Sequence, residues 1–492
     1  MAKRTPTNVL IVRATTQMNT VKGMLEVVSQ VFFGYYKLKW SEEVLPRDSG
    51  DSVHGVVHKE KIIRVSKLGS TKDENSDQIT NTPVYFRKMG LSSLLPSFFA
   101  FLITSSIVIS VILFHPSLPP KFDFESYDVE YGTLVGPYER NNRLNNAERL
   151  FEGKLKGPEH LIVHNGELYT TIHGGYVSKI VSKNSIEPIV KFGEDCDDWW
   201  QEELCGRPLG FKIDTNGTIY VADAYYGIRK FDPKTGTTTL IIDLHTEIEG
   251  KIPMIPNSLD IAKDGKIYWT DSSTTHKLHD GLLTLLGPPT GRLLVTDPVT
   301  QISKVLMNNI HFANGVHLST DESYILVAET QRARIHRYWL KGKKAGTSEV
   351  FVDKLPGLPD NINHDGGGKF IVSLVDPGSH FTNALPQYPL LRKFLARIMT
   401  LAQLTVREIN TLFPNLWLTR AHHLIGHFEM IAPLKVFDEP RATVLLINHE
   451  GQITNCLHAT DGNVTSVSSM VIHNGYYYLG SPFNNYLARV KI

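Results

Sequence analysis

Residues 214–232 read DTNGTIYVADAYYGIRKFD. An Asn-Gly turn opens an alternating run of β-branched and aromatic residues, and a second glycine turn opens another. Asn-Gly or Asp-Gly ahead of such a run is the strongest short hairpin signal. Working outward, the same pattern returns as HNGELYTTIHGGYVSKI from His164, AKDGKIYWTDSS from Ala262, STDESYILVAETQRARIHRYWL from Ser319, HDGGGKFIVSLVD from His364 and HNGYYYLGSPFNNYLARVKI from His473. Most copies start roughly 45–57 residues apart, a spacing suited to four-stranded propeller blades. A sandwich of unrelated hairpins does not need even spacing. Six copies predict an all-β, six-bladed β-propeller over residues 145–492.

The last interval is about twice the others, so the chain carries an insertion before the last blade, over about 379–428. Within it Leu391, Leu395, Ile398, Ala402, Val406, Ile409 and Phe413 step by three and four, which is helical. Arg392, Lys393 and Arg397 lie beside that stripe. The stripe can serve as a packing face, as part of a lid over the channel, or as an interfacial membrane helix.

Ahead of the propeller, LSSLLPSFFAFLITSSIVISVILF from Leu91 to Phe114 holds no ionisable residue. About 20 apolar residues span a bilayer. Arg87 and Lys88 precede the run, while Asp123, Glu125, Asp128 and Glu130 follow it. By the positive-inside rule the N-terminus is cytosolic and the propeller lumenal or extracellular, so the chain reads as a single-pass type II membrane protein of the endoplasmic reticulum or plasma membrane. A cleaved signal peptide would have a shorter core nearer the start and a small-x-small site after it. The sequons at Asn216 (NGT) and Asn463 (NVT) agree with this topology. Residues 1–90 read as a largely disordered cytosolic tail, most clearly over 48–82, and 115–144 as a linker.

Net charge is +1, which gives no electrostatic reason to invoke nucleic acid. Three cysteines are too few for a disulfide scaffold. Cys196 and Cys205 are near enough in sequence to bridge, which leaves Cys456 expected to be buried.

Four inter-blade segments break the strand pattern with an acid or an amide: GPEHL with Glu159, IPNSLDI with Asn257, FANGVHLS with Asn314, and LPDNIN with Asp360 and Asn361. Each is expected just before a strand lining the propeller axis. Equivalent segments of successive blades meet at one mouth of the central channel. Carboxylate and amide oxygens without Cys or His are what a hard cation selects, and calcium takes six to eight of them. Two acids balance the charge of Ca²⁺. Taken singly each motif is ordinary turn chemistry; taken together, at matched places, they form a ring.

This set resembles the calcium-binding six-bladed propellers of the paraoxonase, gluconolactonase and strictosidine synthase superfamily. NAERLFEGKLKGPE, CGRPLGFKIDTNGTIYVADAYYG, EGKIPMIPNSLDI, VAET-x-x-ARI and PGLPDNI look like a branch of it that shares a single N-terminal anchor. The resemblance implies a calcium site of Glu159, Asn257, Asn314, Asp360 and Asn361, and hydrolysis of small aryl esters. It also has gaps. Where paraoxonases carry the histidines that activate water, this chain has Leu209 and Ala224; where they hold a second calcium, it has His160 and Ser258. The glutamate of strictosidine synthases is missing from VSSMVIHNG. A base is still needed for hydrolysis. By sequence proximity the candidates are His311, His317, His364 and Asp223, each with a structural reading beside it. Two functions follow: a calcium-dependent hydrolase of a small ester or lactone, and a non-catalytic binding or adhesion ectodomain with a structural calcium.

Overall fold

The computed structural model describes residues 36–43, 60–67, 91–378, 384–431 and 440–492. It divides into two units, 1–90 and 91–492. In the first, Tyr36–Glu43 pairs antiparallel with Glu60–Lys67. Both strands stand inside the stretch expected to be largely disordered, Glu60–Lys67 within 48–82; its sequence, EKIIRVSK, is short and flanked by polar residues. The rest of that tail lies outside the described residues.

The second unit holds six four-stranded antiparallel sheets. Five run in chain order from an innermost strand: Leu161–His164, Pro208–Ile213, Pro256–Ile261, Ala313–Leu318 and Leu358–His364. The sixth uses Ser469–His473, Tyr476–Gly480 and Leu487–Lys491, and takes its outermost strand, Glu148–Leu150, from the start of the propeller. We call these sheets blades one to six.

Apolar packing closes the ring. Val177 and Phe192 of blade one meet Phe211 and Val221 of blade two. Ile228 and Ile242 meet Leu259 and Trp269 across the second seam. Similar clusters join blades three and four, four and five, and five and six. Leu487 and Val471 of blade six then meet Leu161 and Leu168 of blade one. Each sheet is covered on both faces, so its strands carry apolar residues on both sides rather than a strict alternation. At the blade-three seam Trp269 is fully buried and its Nε1 donates to Thr296 Oγ1 at 2.9 Å, satisfying its one polar atom.

Helices lie outside the blades. Helix α1 spans Leu91–Phe114, where the anchor was expected. Among the described residues no helix is long and apolar enough to cross a membrane; the side chains of residues 91–98 and 101 are outside that description. Short helix α2 (Glu202–Cys205) lies between blades one and two, and α3 (Gly281–Leu286) inside blade three. The insertion sits inside blade five, between Phe370–Asp376 and Ala442–Ile447, as helices α4 (Pro389–Leu412) and α5 (Leu416–Leu424).

Of the roles open to the stripe, simple packing accounts for only part of it. Leu391, Ile398, Ile409 and Phe413 are exposed, whereas Arg392, Ala396, Arg397, Met399 and Gln403 are buried. The cause is what α4 packs against. Arg392 donates to the carbonyls of Leu286, Gly287 and Glu125, and Gln403 to that of Ile425. The inner face is thus chosen by unsatisfied backbone carbonyls rather than by apolar area alone.

Candidate functional site

The five oxygen-bearing residues sit where strand pairing slips. In blade three Pro256 pairs with Asp271 and Leu259 with Trp269, so Asn257 and Ser258 fall in a bulge. In blade four the break lies between Ala313 and Val316, around Asn314. In blade five it lies between Pro359 and Ile362, around Asp360 and Asn361. Bulges re-aim side chains out of the ladder. Three of the four motifs therefore lie inside innermost strands rather than ahead of them; only Glu159 precedes its strand. The Asn-Gly of FANGV is not a turn. Gly315 lies against the backbone of blade five, where a Cβ would come within 2.5 Å of Asp360 O, so only glycine fits.

These residues come together. Glu159, Asn257, Asn314 and Asp360 all line one cavity of about 300 Å³, and Asn361 Nδ2 reaches Glu159 Oε1 at 3.5 Å. All five are buried. Glu159 Oε2, Asn314 Oδ1, Asp360 Oδ1 and Asn361 Oδ1 have no hydrogen-bond partner. Four buried acceptors without a donor are costly unless a cation meets them. Electrostatics agree. Burial raises the Glu159 carboxyl to about 7 against the opposing pull of Arg207 and of the Asn361 amide. Burial also pushes Asp360 well above the usual carboxylate range, and the Glu159 charge adds to it. The residues thus fit a hard cation. Among the described residues no three His, Cys, Asp or Glu side chains form a metal cluster of their own; here three of the five candidate donors are asparagines.

The family's second-site places are otherwise engaged. His160 Nδ1 accepts from Phe211 N at 3.2 Å, and Ser258 Oγ accepts from Val316 N at 3.2 Å. Leu209 and Ala224 pack with Ile255 and Leu278 in a small apolar cluster. None of the four bases suggested by proximity lines the cavity. Asp223 caps a turn, its Oδ1 accepting from Tyr225 N and Tyr226 N at 2.9 and 3.0 Å. His311 lies against Tyr127, its ring centroid 4.0 Å away. His317 pairs with Asp260 at 3.0 Å, and His364 lies beside His317.

The cavity offers other ionisable groups. Glu202, from α2, is buried and accepts from the Tyr225 hydroxyl. Burial raises its carboxyl to about 7, opposed by Tyr225 and Arg207. His427 Nε2 stands 3.8 Å from Glu202 Oε1, and its ring stacks on Trp199 at 5.1 Å. Burial holds the His427 imidazole down at about 3, so it is neutral. Arg207 bridges the two halves of the cavity, 3.8 Å from Glu159 Oε2 and bonded to the carbonyls of Gly157 and Pro482. Phe428 closes the rim by lying on Gly281, where a Cβ would meet its ring at 2.3 Å. Glu202 and His427 escape a reading of the sequence because they lie far apart along the chain, one in a cysteine-closed loop and the other at the end of the insertion. The cysteine pair was the available signal, since Cys196 and Cys205 are bridged and fix α2.

Residues 257–343 match the strictosidine synthase family, and residues 136–180 the strictosidine synthase-like N-terminal region. The Drosophila melanogaster adipocyte plasma membrane-associated protein Hemomucin is 41% identical over 77% of this chain and 67% of its own. The Rattus norvegicus adipocyte plasma membrane-associated protein is 34% identical over 78% of this chain and 94% of its own. Among solved structures, a gluconolactonase from Xanthomonas campestris aligns over 76% of this chain and 98% of its own, at 13% identity and a TM-score of 0.44. A likeness that loose says nothing of activity.

Proposed function

Because the chain belongs to the adipocyte plasma membrane-associated protein family, we propose that it is a single-pass type II membrane protein whose lumenal or extracellular propeller is a calcium-dependent hydrolase of small aryl or carboxylic esters. The observation that carries this reading is the set of four buried, unpartnered oxygens, three of them on residues that line the cavity and the fourth on the adjoining Asn361. Glu159, Asn257, Asn314, Asp360 and Asn361 would hold the ion. When bound, calcium supplies a Lewis acid for a carbonyl oxygen.

The chain's own groups do the rest. Arg207 holds Glu159 in place and neutralises part of its charge. Glu202 is the general base that replaces the absent histidines: it lines the same cavity, and a carboxyl raised to about 7 is matched to taking a proton from water near neutral pH. Tyr225 orients that carboxylate. Neutral His427, stacked on Trp199 with its Nε2 3.8 Å from Glu202, keeps bulk water from the rim together with Phe428. The apolar wall given by Leu209, Leu278, Phe312 and Phe483 suits an aryl or acyl group.

The second reading, a non-catalytic ligand-binding or adhesion ectodomain with a structural calcium, is favoured by one observation: Leu209 and Ala224 are apolar, pack in one small cluster and offer no proton-accepting group. Turnover of phenyl and naphthyl acetate by the purified full chain decides between them. Turnover abolished by a chelator and restored by calcium supports the hydrolase. Calcium binding with no turnover of aryl esters or lactones leaves the second reading.

A further inference from the structure

Helix α4 shows part of its apolar stripe to the outside, while Leu395 packs inward against α3. Leu391 is 42% exposed, Ile409 42%, Leu412 72% and Phe413 68%; across the turn into α5, Trp417 is 73% exposed. A large exposed patch of this kind marks a surface with a partner. Two further observations identify the partner. First, the buried Arg397 donates to the carbonyls of Ile112, Leu113 and His115 at 2.8, 3.2 and 3.0 Å, capping the C-terminal end of α1. The insertion is thereby fastened to the last turn of that helix. Second, the two insertion helices carry Lys393, Arg407 and Arg420 besides the buried arginines, against Glu408 as the one acid; Arg407 pairs with Glu408 and Arg420 also packs over Trp200, so the helices keep a basic excess.

We propose that this stripe and the α4–α5 turn lie in the head-group layer of a lipid bilayer with anionic lipid. The inference rests on the reading of α1 as a membrane anchor: the non-cytosolic end of a spanning helix lies at the membrane surface, and whatever caps that end lies there too. An amphipathic helix with aromatic and aliphatic residues on one side and basic residues beside them is what an interface binds, through buried apolar area and attraction to anionic head groups. A protein partner would need no such fixed relation to α1.

The test uses the full-length chain in proteoliposomes of phosphatidylcholine and phosphatidylserine, with an environment-sensitive fluorophore on one introduced cysteine at a time. Cys456 is buried and Cys196 and Cys205 are bridged, so background labelling is low. Leu412→Cys probes the stripe, Ile107→Cys the anchor, and Val299→Cys, 89% exposed in a turn at the blade end away from the cavity, the aqueous face. Nitroxide lipids should quench the labels at 412 and 107 several-fold more than the label at 299. Adding Phe413→Glu and Trp417→Glu should at least halve lipid quenching at 412 and leave 107 unchanged. Lipid quenching at 107 with water-soluble quenching at 412 overturns the inference and spares the anchor. A label at 412 shielded from both quenchers points to a protein partner and also overturns it. Water-soluble quenching at 107 removes the anchor reading itself, and this inference with it.

Discussion

Asp360 and Glu159 oppose each other across the cavity floor, and each is raised by burial. A pair of buried carboxylates is a debt when no cation is near and an asset when one is. Asp360→Asn should therefore melt no lower than wild type in the presence of a chelator. With calcium in hundredfold excess over its Kd, wild type should gain about 2.7 kcal/mol and the variant little or none. Calorimetry with and without calcium reads both, and an unchanged calcium response in the variant removes the site. Glu202→Gln separates binding from chemistry. Calcium stabilisation should stay, ester turnover should fall by roughly 10²–10⁴, and the wild-type rise in rate as pH passes through about 7 should vanish. The sign follows from the role: a base acts ionised, so activity grows as the carboxyl loses its proton. The five candidate oxygen donors were legible in sequence because each motif breaks the alternating pattern at or just before the innermost strand of its blade. Glu202 was not, since nothing in EELCG distinguishes an exposed acid from one buried under Tyr225.

At the scale of elements, one side of the cavity is assembled by two excursions from the blades. The loop closed by Cys196 and Cys205 carries Glu202, and the insertion carries His427; they meet where His427 stacks on Trp199 and Arg420 lies 4.0 Å over Trp200. Removing the bridge with Cys196→Ser and Cys205→Ser frees a short loop, which should cost roughly 2–3 kcal/mol at best. Turnover should suffer more than calcium affinity, because the loop holds the proposed base and none of the ion's five candidate ligands. Parallel measurement of kcat and calcium Kd checks this; equal losses would mean that the loop supports the whole cavity. The helical period of the insertion was readable, but its inward face was not. Periodicity reports which residues share a side, not whether that side meets apolar surface or the bare carbonyls that Arg392 and Arg397 satisfy.

At the scale of the molecule, six inter-blade clusters make the ring, and even spacing of six repeats was enough to foresee it. The spacing could not show which blade would be shared between the two ends. Topology gives a further expectation. Asn216 is exposed in its turn, whereas the Asn463 Nδ2 already donates to Asp461 at 2.8 Å beside the buried Val464. Glycan should sit chiefly on Asn216, with an N-terminal tag digestible from the cytosolic side. Loss of the endoglycosidase shift in Asn216→Gln, and protease mapping of intact cells, measure these two points. The shared blade also sets an order of events during synthesis. Glu148–Leu150 leaves the ribosome before the rest of the propeller, yet its partner Leu487–Lys491 comes more than three hundred residues later. Until then blade one lacks the neighbour that covers Leu161 and Leu168, and the early strand waits with an open edge. A chain stalled or cut short late in translation would therefore hold nearly every blade and still present an unfinished seam, the feature by which a folding chaperone could tell it from the completed protein.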